Sequence, residues 1–206
     1  GTSRFNLLSH EEIIILNSEV VRANKSRSVT IVSGPLNGNL QANIEHAVKA
    51  QEIGANAFIA YYPERWYDDE SVFLFYNEIC KAVSISVFIH EMPLRSGYGG
   101  VAQYSLSLLD KLLDIPNLVG MKEECMDGGY AYKIHRKFGK KASIIGAGAM
   151  RNFLRDYQAG AKTNLVGLGS FFPKVEIDFH EALKNNNLSL AKKIVQTYED
   201  EYFDFA

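Results

Sequence analysis

Lys122 is the residue whose type and surroundings best fit covalent chemistry. It ends the apolar run Asn117–Lys122, close to the carboxyl end of a predicted strand. A lysine that points into a packed interior loses its water, and this loss favours the neutral amine. The neutral amine is the form that attacks a carbonyl carbon to give a Schiff base. The alternative is a structural lysine that forms an ion pair with Glu123 or Glu124 at the strand end.

The elements that would position this lysine alternate between strands and helices. Helical patterns, with apolar residues three or four positions apart, separate six apolar segments that are rich in β-branched residues. Nearly continuous apolar strands are typical of parallel strands covered by helices. Both a doubly wound sheet and a barrel fit this alternation. The predicted strands are Val29–Gly34, Ala57–Tyr62, Ser86–Met92, Leu118–Glu124, Ser143–Gly148 and Asn164–Gly169.

The positions of the polar residues favour the barrel. Polar residues and glycines follow nearly every predicted strand, whereas a doubly wound sheet would concentrate them at one switch point. A predicted helix, Ser9–Asn24, precedes the first strand, and Ser9 and Glu12 have the spacing of a capping box. We therefore predict an α/β fold that contains strands three to eight of a (β/α)8 TIM barrel. Residues 1–186 would form this partial barrel, and residues 187–206 would begin a C-terminal helical extension.

Composition predicts one globular domain and argues against two classes of partner. The chain has 206 residues, of which 47% are hydrophobic, and its net charge is −2. No basic surface is concentrated for nucleic acid, and no apolar run reaches the ~18 residues that span a bilayer. We expect neither nucleic acid nor a membrane as a partner, and a cytoplasmic location. Cys80 and Cys125 lack metal-site or disulfide spacing, so we expect reduced thiols. The opening without Met and the helical ending suggest a fragment.

Four segments, in order along the chain, resemble motifs of the dihydrodipicolinate synthase/N-acetylneuraminate lyase family. Residues 117–123 (NLVGMKE) are similar to the family's N-(I/L)-V-G-(I/M)-K segment, and residues 88–97 (FIHEMPLRSG) to its (I/L)-Y-N-x-P-x-R-T-G stretch. Residues 1–3 and 8–12 resemble its G-T-T-G-E and L-(T/S)-x-E-E opening. Residues 43–57 match its A-I-E-H-A helix. The resemblance implies a class I aldolase fold and chemistry.

The resemblance also implies roles for individual residues. Lys122 would form the imine with pyruvate, and Thr2 and Ser3 would hold the substrate carboxylate, Ser3 also taking part in catalysis through a hydroxyl relay. Arg95 matches the arginine that, in the synthase branch, meets the second substrate. Tyr62 would complete a neighbouring subunit's proton relay. Gly146 and Leu165 would line the pocket after the last two strands.

Departures from the family pattern predict a changed substrate. His90 stands where the family has its general acid/base tyrosine, and Glu91 replaces the following asparagine. An imidazole titrates near ~6.5 and a phenol near ~10, so His90 could move a proton, but with a different pH dependence. Arg4 and Phe5 replace a Gly-Glu pair. A structural histidine bonded to a backbone carbonyl is the alternative for His90.

The sequence thus predicts a divergent lyase that works through a Schiff base, either a carbon–carbon lyase or a hydro-lyase. Its substrate would be pyruvate or another small 2-oxo acid, with no metal and no organic cofactor. The resemblance implies a homotetramer, a dimer of tight dimers. Two alternatives stay open: an authentic dihydrodipicolinate synthase, favoured by Arg95 and opposed by His90, and a family-like barrel that binds a small carboxylate without turnover.

Overall fold

The computed structural model describes residues 7–25, 28–36, 38–63, 68–92, 104–125, 127–165 and 167–205. Within these residues six strands alternate with helices, as the periodicity predicts. The strands are β1 (Ile31–Ser33), β2 (Ala57–Tyr61), β3 (Ser86–Glu91), β4 (Leu118–Glu123), β5 (Ser143–Ala147) and β6 (Thr163–Leu165). The helices are α1 (His10–Asn24), α2 (Leu40–Glu52), α3 (Asp69–Ala82), α4 (Leu106–Leu112), α5 (Gly128–Phe138), α6 (Met150–Tyr157), α7 (Pro173–Lys184), α8 (Leu188–Ile194) and α9 (Glu201–Phe205).

Side-chain caps begin most of the helices. In α1 the predicted capping box forms: the Ser9 hydroxyl accepts from the Glu12 backbone N–H at 3.2 Å, and the Glu12 carboxylate accepts from the Ser9 N–H at 2.8 Å. Such caps satisfy N–H groups that have no partner within the helix. Helices α6 and α7 are different, because their N-cap residues, Ala149 and Phe172, supply no side-chain hydrogen bond.

The six strands form one sheet in the order β1-β2-β3-β4-β5-β6, and every neighbouring pair is parallel. A sequential order without reversal contradicts the doubly wound alternative and agrees with part of a (β/α)8 barrel. The prediction of a parallel α/β fold is confirmed. That these strands are numbers three to eight stays a prediction.

The last predicted strand was placed wrongly. Segment Asn164–Gly169 was expected to be extended, but β6 ends at Leu165, and Leu168–Ser170 forms one turn of 3₁₀-helix. Leu168 is buried in the cluster made by α6, α7 and α8. The 3₁₀ turn thus places Leu168 in the helical core, not in the sheet.

The two faces of the sheet bury different residues. The helix-side face packs against α2, α3, α4 and α5 and forms the largest apolar core. The opposite face carries a small cluster drawn from strands alone: Ala57, Ile59, Phe88 and Ile145. Because successive residues of a strand point to opposite faces, strands β1 to β5 contribute to both layers.

The C-terminal helices form a second core with α6. Helix α8 continues through a π-helical stretch, Val195–Asp200, into α9. Ala191, Ile194 and Val195 are buried in a cluster with Met150 and Phe153 of α6. The predicted division between residues 186 and 187 stays a prediction. Among the described residues, no helix combines the length and the apolar character needed to cross a bilayer.

Candidate active site

The sheet register brings His90 and Lys122 side by side. His90 of β3 pairs with Lys122 of β4, and Tyr61 of β2 pairs with His90. All three lie near the carboxyl ends of parallel strands, which is where barrels carry their active sites. Tyr61 and His90 are in ring contact, with centroids 4.7 Å apart.

Lys122, His90 and Glu124 form a compact polar triad. The Lys122 Nζ atom lies 2.7 Å from His90 Nε2 and donates to Glu124 Oε2 at 2.7 Å. His90 Nε2 and Glu124 Oε2 are 3.0 Å apart. The side chains of Lys122 and His90 are only 9% and 8% exposed, and that of Glu124 is 20% exposed. An amine, an imidazole and a carboxylate therefore meet in a site that is largely shielded from water.

The triad has one base that is neutral and one acid that is ionised. Burial lowers the pKa of His90 to about 4, although the hydrogen bond to Glu124 opposes this shift. Burial alone would raise the pKa of Glu124, but the hydrogen bond with His90 and the nearby Lys122 ammonium together lower it to about 2. At neutral pH His90 is therefore an unprotonated imidazole, and Glu124 carries a negative charge.

Glu124 is the residue whose part in the site the sequence analysis missed. It was named only as an alternative ion-pair partner of Lys122. The signal was present, because residues two positions apart in an extended segment point to the same face. The structure unites the two interpretations of Lys122: it is buried beside a base, and it is ion-paired.

Glu91 and Glu123 point away from this triad. They pair with each other in the β3–β4 register and are 0% and 2% exposed. The Tyr130 hydroxyl donates to Glu91 Oε2 at 2.8 Å, and Glu123 Oε1 accepts from the Cys125 N–H at 2.7 Å. The Glu91 departure from the family pattern therefore adds a buried carboxyl to the helix side, not to the lysine site.

The other predicted site residues have different positions. Tyr62 follows Tyr61 and faces the helix-side core, where its ring packs edge-on against Tyr104 at 4.8 Å, and burial raises its pKa. Gly146 is paired with Glu123, and the place of its missing Cβ lies 3.4 Å from Phe153 of α6. Leu165 ends β6 and is 53% exposed. Thr2, Ser3 and Arg95 lie outside the described residues.

One group of side chains among the described residues could hold a metal ion. Ligand atoms of Glu123, His135 and Asp156 lie within 4.8 Å of one another, and all three residues are buried. Asp156, however, already accepts hydrogen bonds from the Arg155 guanidinium at 2.7 and 3.0 Å. The group lies between β4, α5 and α6, on the face of β4 opposite to Lys122.

Comparisons with known proteins agree with this geometry. A probable 5-dehydro-4-deoxyglucarate dehydratase from Pseudomonas putida (strain W619) is 26% identical over 213 residues, which cover 99% of this chain and 66% of the relative. A 4-hydroxy-tetrahydrodipicolinate synthase from Clostridium perfringens is 28% identical over 145 residues, 69% of this chain and 46% of that protein. The chain thus spans just under two thirds of the length of the dehydratase.

Comparison with solved structures supports the barrel fold. The N-acetylneuraminate lyase of Mycoplasma synoviae superposes with a TM-score of 0.82 at 25% identity, covering 98% of this chain and 67% of the lyase. The sequence profile of the dihydrodipicolinate synthetase family matches residues 1–200. A match over nearly the whole chain, together with a lysine beside a base at the strand ends, leads to one conclusion: the chain belongs to the dihydrodipicolinate synthetase family.

Proposed function

We propose that this chain carries the reactive centre of a class I lyase, in which Lys122 forms a Schiff base with a 2-oxo acid. The observation that carries the proposal is the 2.7 Å distance between Lys122 Nζ and His90 Nε2 in a site with little water. The amine must lose a proton before it attacks a carbonyl carbon, and a neutral imidazole at hydrogen-bond distance can accept that proton.

The imine then acts as an electron sink for bond breaking next to the former carbonyl. A protonated imine withdraws electrons from the adjacent carbon. The bond from that carbon to the next one can then break, or the adjacent carbon can lose a proton and the next carbon its hydroxyl group as water. His90 is the group within reach to accept or return protons during these steps. Carbon–carbon lyases and dehydratases both use this intermediate, which agrees with the mixture of reaction names among the relatives.

The substrate proposal is a small 2-oxo acid, with pyruvate as the simplest case. The substrate in the name of the Pseudomonas putida relative, 5-dehydro-4-deoxyglucarate, also has a carbonyl beside a terminal carboxylate. By the family resemblance, Thr2 and Ser3 would bind that carboxylate and Arg95 a second one. We further propose a homotetramer, a cytoplasmic location, and strands three to eight of the barrel for the six strands.

The test is borohydride trapping. Purified protein is incubated with pyruvate, 5-dehydro-4-deoxyglucarate and other 2-oxo acids, reduced with borohydride, and analysed by intact and peptide mass. We expect an adduct on the peptide that contains Lys122. Lys122→Arg keeps the positive charge but removes the nucleophile, and should lose the adduct. Lys141→Arg, at an exposed lysine paired with Asp114, is the matched control and should keep it.

A folded protein that gives no adduct with any of these acids would contradict the proposed chemistry. Ligand binding that is saturable but never trapped would then favour the alternative, a carboxylate-binding protein without turnover. Turnover of pyruvate with aspartate semialdehyde would identify the synthase reaction.

A further inference from the structure

Glu124 is the member of the triad that has no assigned role so far. Resting on the Schiff-base function proposed above, we infer that Glu124 is a positioning residue that controls how Lys122 and His90 share a proton. Its carboxylate contacts both partners through one oxygen, Oε2, at 2.7 Å from Lys122 Nζ and 3.0 Å from His90 Nε2. A residue that served only as a counter-ion for the lysine would not need the second contact.

Proton counting shows why the two contacts matter. The His90 Nε2 atom has room for one hydrogen. When Nε2 has no hydrogen, it accepts from the Lys122 ammonium, which also donates to Glu124. When Nε2 holds a hydrogen, it donates to Glu124, and Lys122 can then be the neutral amine. The same three heavy-atom positions therefore fit both proton arrangements, and the proton can move without a rearrangement of the side chains.

The carboxylate lowers the cost of the second arrangement. A proton on His90 creates an imidazolium in a buried site, and burial disfavours this charge, as the lowered pKa of His90 shows. An ionised Glu124 at 3.0 Å offsets part of that cost, because an opposite charge at such a distance favours the charged form. Among the residues that the structure describes, the side chains in contact with His90 are Tyr61 from β2, Lys122 from β4 and Glu124 after β4.

The proposed step balances in atoms and charge. The Lys122 ammonium gives one proton to His90 Nε2, and the resulting amine adds to the substrate carbonyl carbon to form a carbinolamine. The imidazolium returns the proton to the carbinolamine hydroxyl, the C–O bond breaks, and water leaves. The product is a protonated imine on Lys122, which carries the charge of the original ammonium and keeps Glu124 as its counter-ion. No oxidant, metal or second substrate is required.

Glu124→Gln tests this role, because glutamine keeps the size and the hydrogen-bonding oxygen but removes the charge. The measurement is the rate of formation of the borohydride-trapped pyruvate adduct as a function of pH. We expect the maximal rate to fall by about 100-fold, the lower end of what general acid–base catalysis contributes. We also expect the pH profile to move to lower pH by about one unit, because the carboxylate no longer favours the protonated state of the pair.

Glu123→Gln is the matched control, since Glu123 is the adjacent residue and points to the opposite face of the strand. Its rate and pH profile should equal those of the wild type.

Glu124→Asp is the second test variant, because it keeps the charge. It should retain the wild-type pH profile at a reduced rate. It replaces Glu124→Gln as the test variant if circular dichroism shows that Glu124→Gln is unfolded.

The outcomes separate this inference from the proposed function. Adduct formation in the wild type, together with an unchanged rate and pH profile in folded Glu124→Gln, would overturn the role of Glu124 and leave the Schiff-base function intact. A shifted profile in Glu124→Asp would also overturn it. A wild-type protein that never forms the adduct would overturn both.

Discussion

At the scale of single residues, two adjacent glutamates beside the same lysine have opposite electrostatic states. Glu124 is ion-paired and ionised. Glu123 is buried on the helix side next to Glu91, and burial raises its pKa from 4.5 to about 8, although the Cys125 N–H opposes the shift. One backbone step therefore separates a charged site residue from a carboxyl group that is protonated at neutral pH.

Glu123→Gln should make the protein more stable at alkaline pH. An acid with a raised pKa holds its proton more tightly in the folded state, so its contribution to stability is full below about pH 4.5 and is lost as the pH rises through about 8. Glutamine mimics the protonated acid and has no proton to lose. Relative to the wild type, we expect a gain on the order of 1–3 kcal/mol at pH 9 and little change at pH 5.

Urea unfolding of both proteins at pH 5, 7 and 9 provides the measurement. If the difference in free energy of unfolding between variant and wild type is the same at all three pH values, Glu123 is not the protonated buried acid described above.

At the scale of elements, Asn117 and Gly120 of the segment that contains Lys122 have structural roles at the start of β4. The Asn117 amide donates to the carbonyl oxygens of Cys80 and Val83, both at 3.0 Å, and to that of Ile85 at 3.3 Å. These contacts join the turn between α3 and β3 to β4. A Cβ at Gly120 would lie 2.0 Å from the Ser143 carbonyl oxygen, so only glycine allows β4 and β5 to pair here.

Asn117→Ala should destabilise the fold by about 1–3 kcal/mol, because it leaves partly buried carbonyl groups without their donor. The midpoint of thermal unfolding, followed by circular dichroism, should fall. Asn77→Ala is the control, since that amide has only a weak 3.4 Å contact with the neighbouring Glu78. An equal midpoint of thermal unfolding for Asn117→Ala and the wild type would show that the packing of β4 against the turn between α3 and β3 does not depend on this amide.

At the scale of the whole molecule, one buried carboxylate connects the C-terminal helices to α6, the helix that follows β5. The Glu199 oxygens accept from the backbone N–H groups of Met150 and Arg151, at 2.6 and 2.9 Å, and Glu199 is 2% exposed. Helix α6 thus receives its cap from a residue 49 positions later in the chain. Burial raises the pKa of Glu199, and the two N–H donors oppose that shift.

Glu199→Ala should therefore weaken the attachment of the C-terminal helices. We expect a loss of about 1–3 kcal/mol, since two N–H groups at the start of α6, where a negative charge is favourable, lose their acceptor. Glu201→Ala, at an exposed position in α9, should change stability little. Differential scanning calorimetry of the two variants makes the comparison, and similar transition temperatures for both would contradict the capping role of Glu199.

The sequence by itself determined the layout of the chain. Its apolar periodicity predicted the parallel strands and the helices between them, because a strand buried on both faces must be apolar at nearly every position. Spacing alone predicted the α1 capping box, since a local hydrogen bond depends only on nearby residues. Lys122 and His90 were both named as candidates from residue type and motif.

Only the tertiary structure decided which side chains meet. The β3–β4 register places His90 beside Lys122 and turns Glu91 and Glu123 away, and a shift of one residue would reverse both results. Tyr61, not Tyr62, contacts His90 for the same reason. Glu124 joins the site because it lies directly past the end of β4, two positions after Lys122, and Glu199 reaches α6 only because the C-terminal helices fold back. Such long-range contacts have no local signal, because they depend on register and packing between segments far apart in the chain.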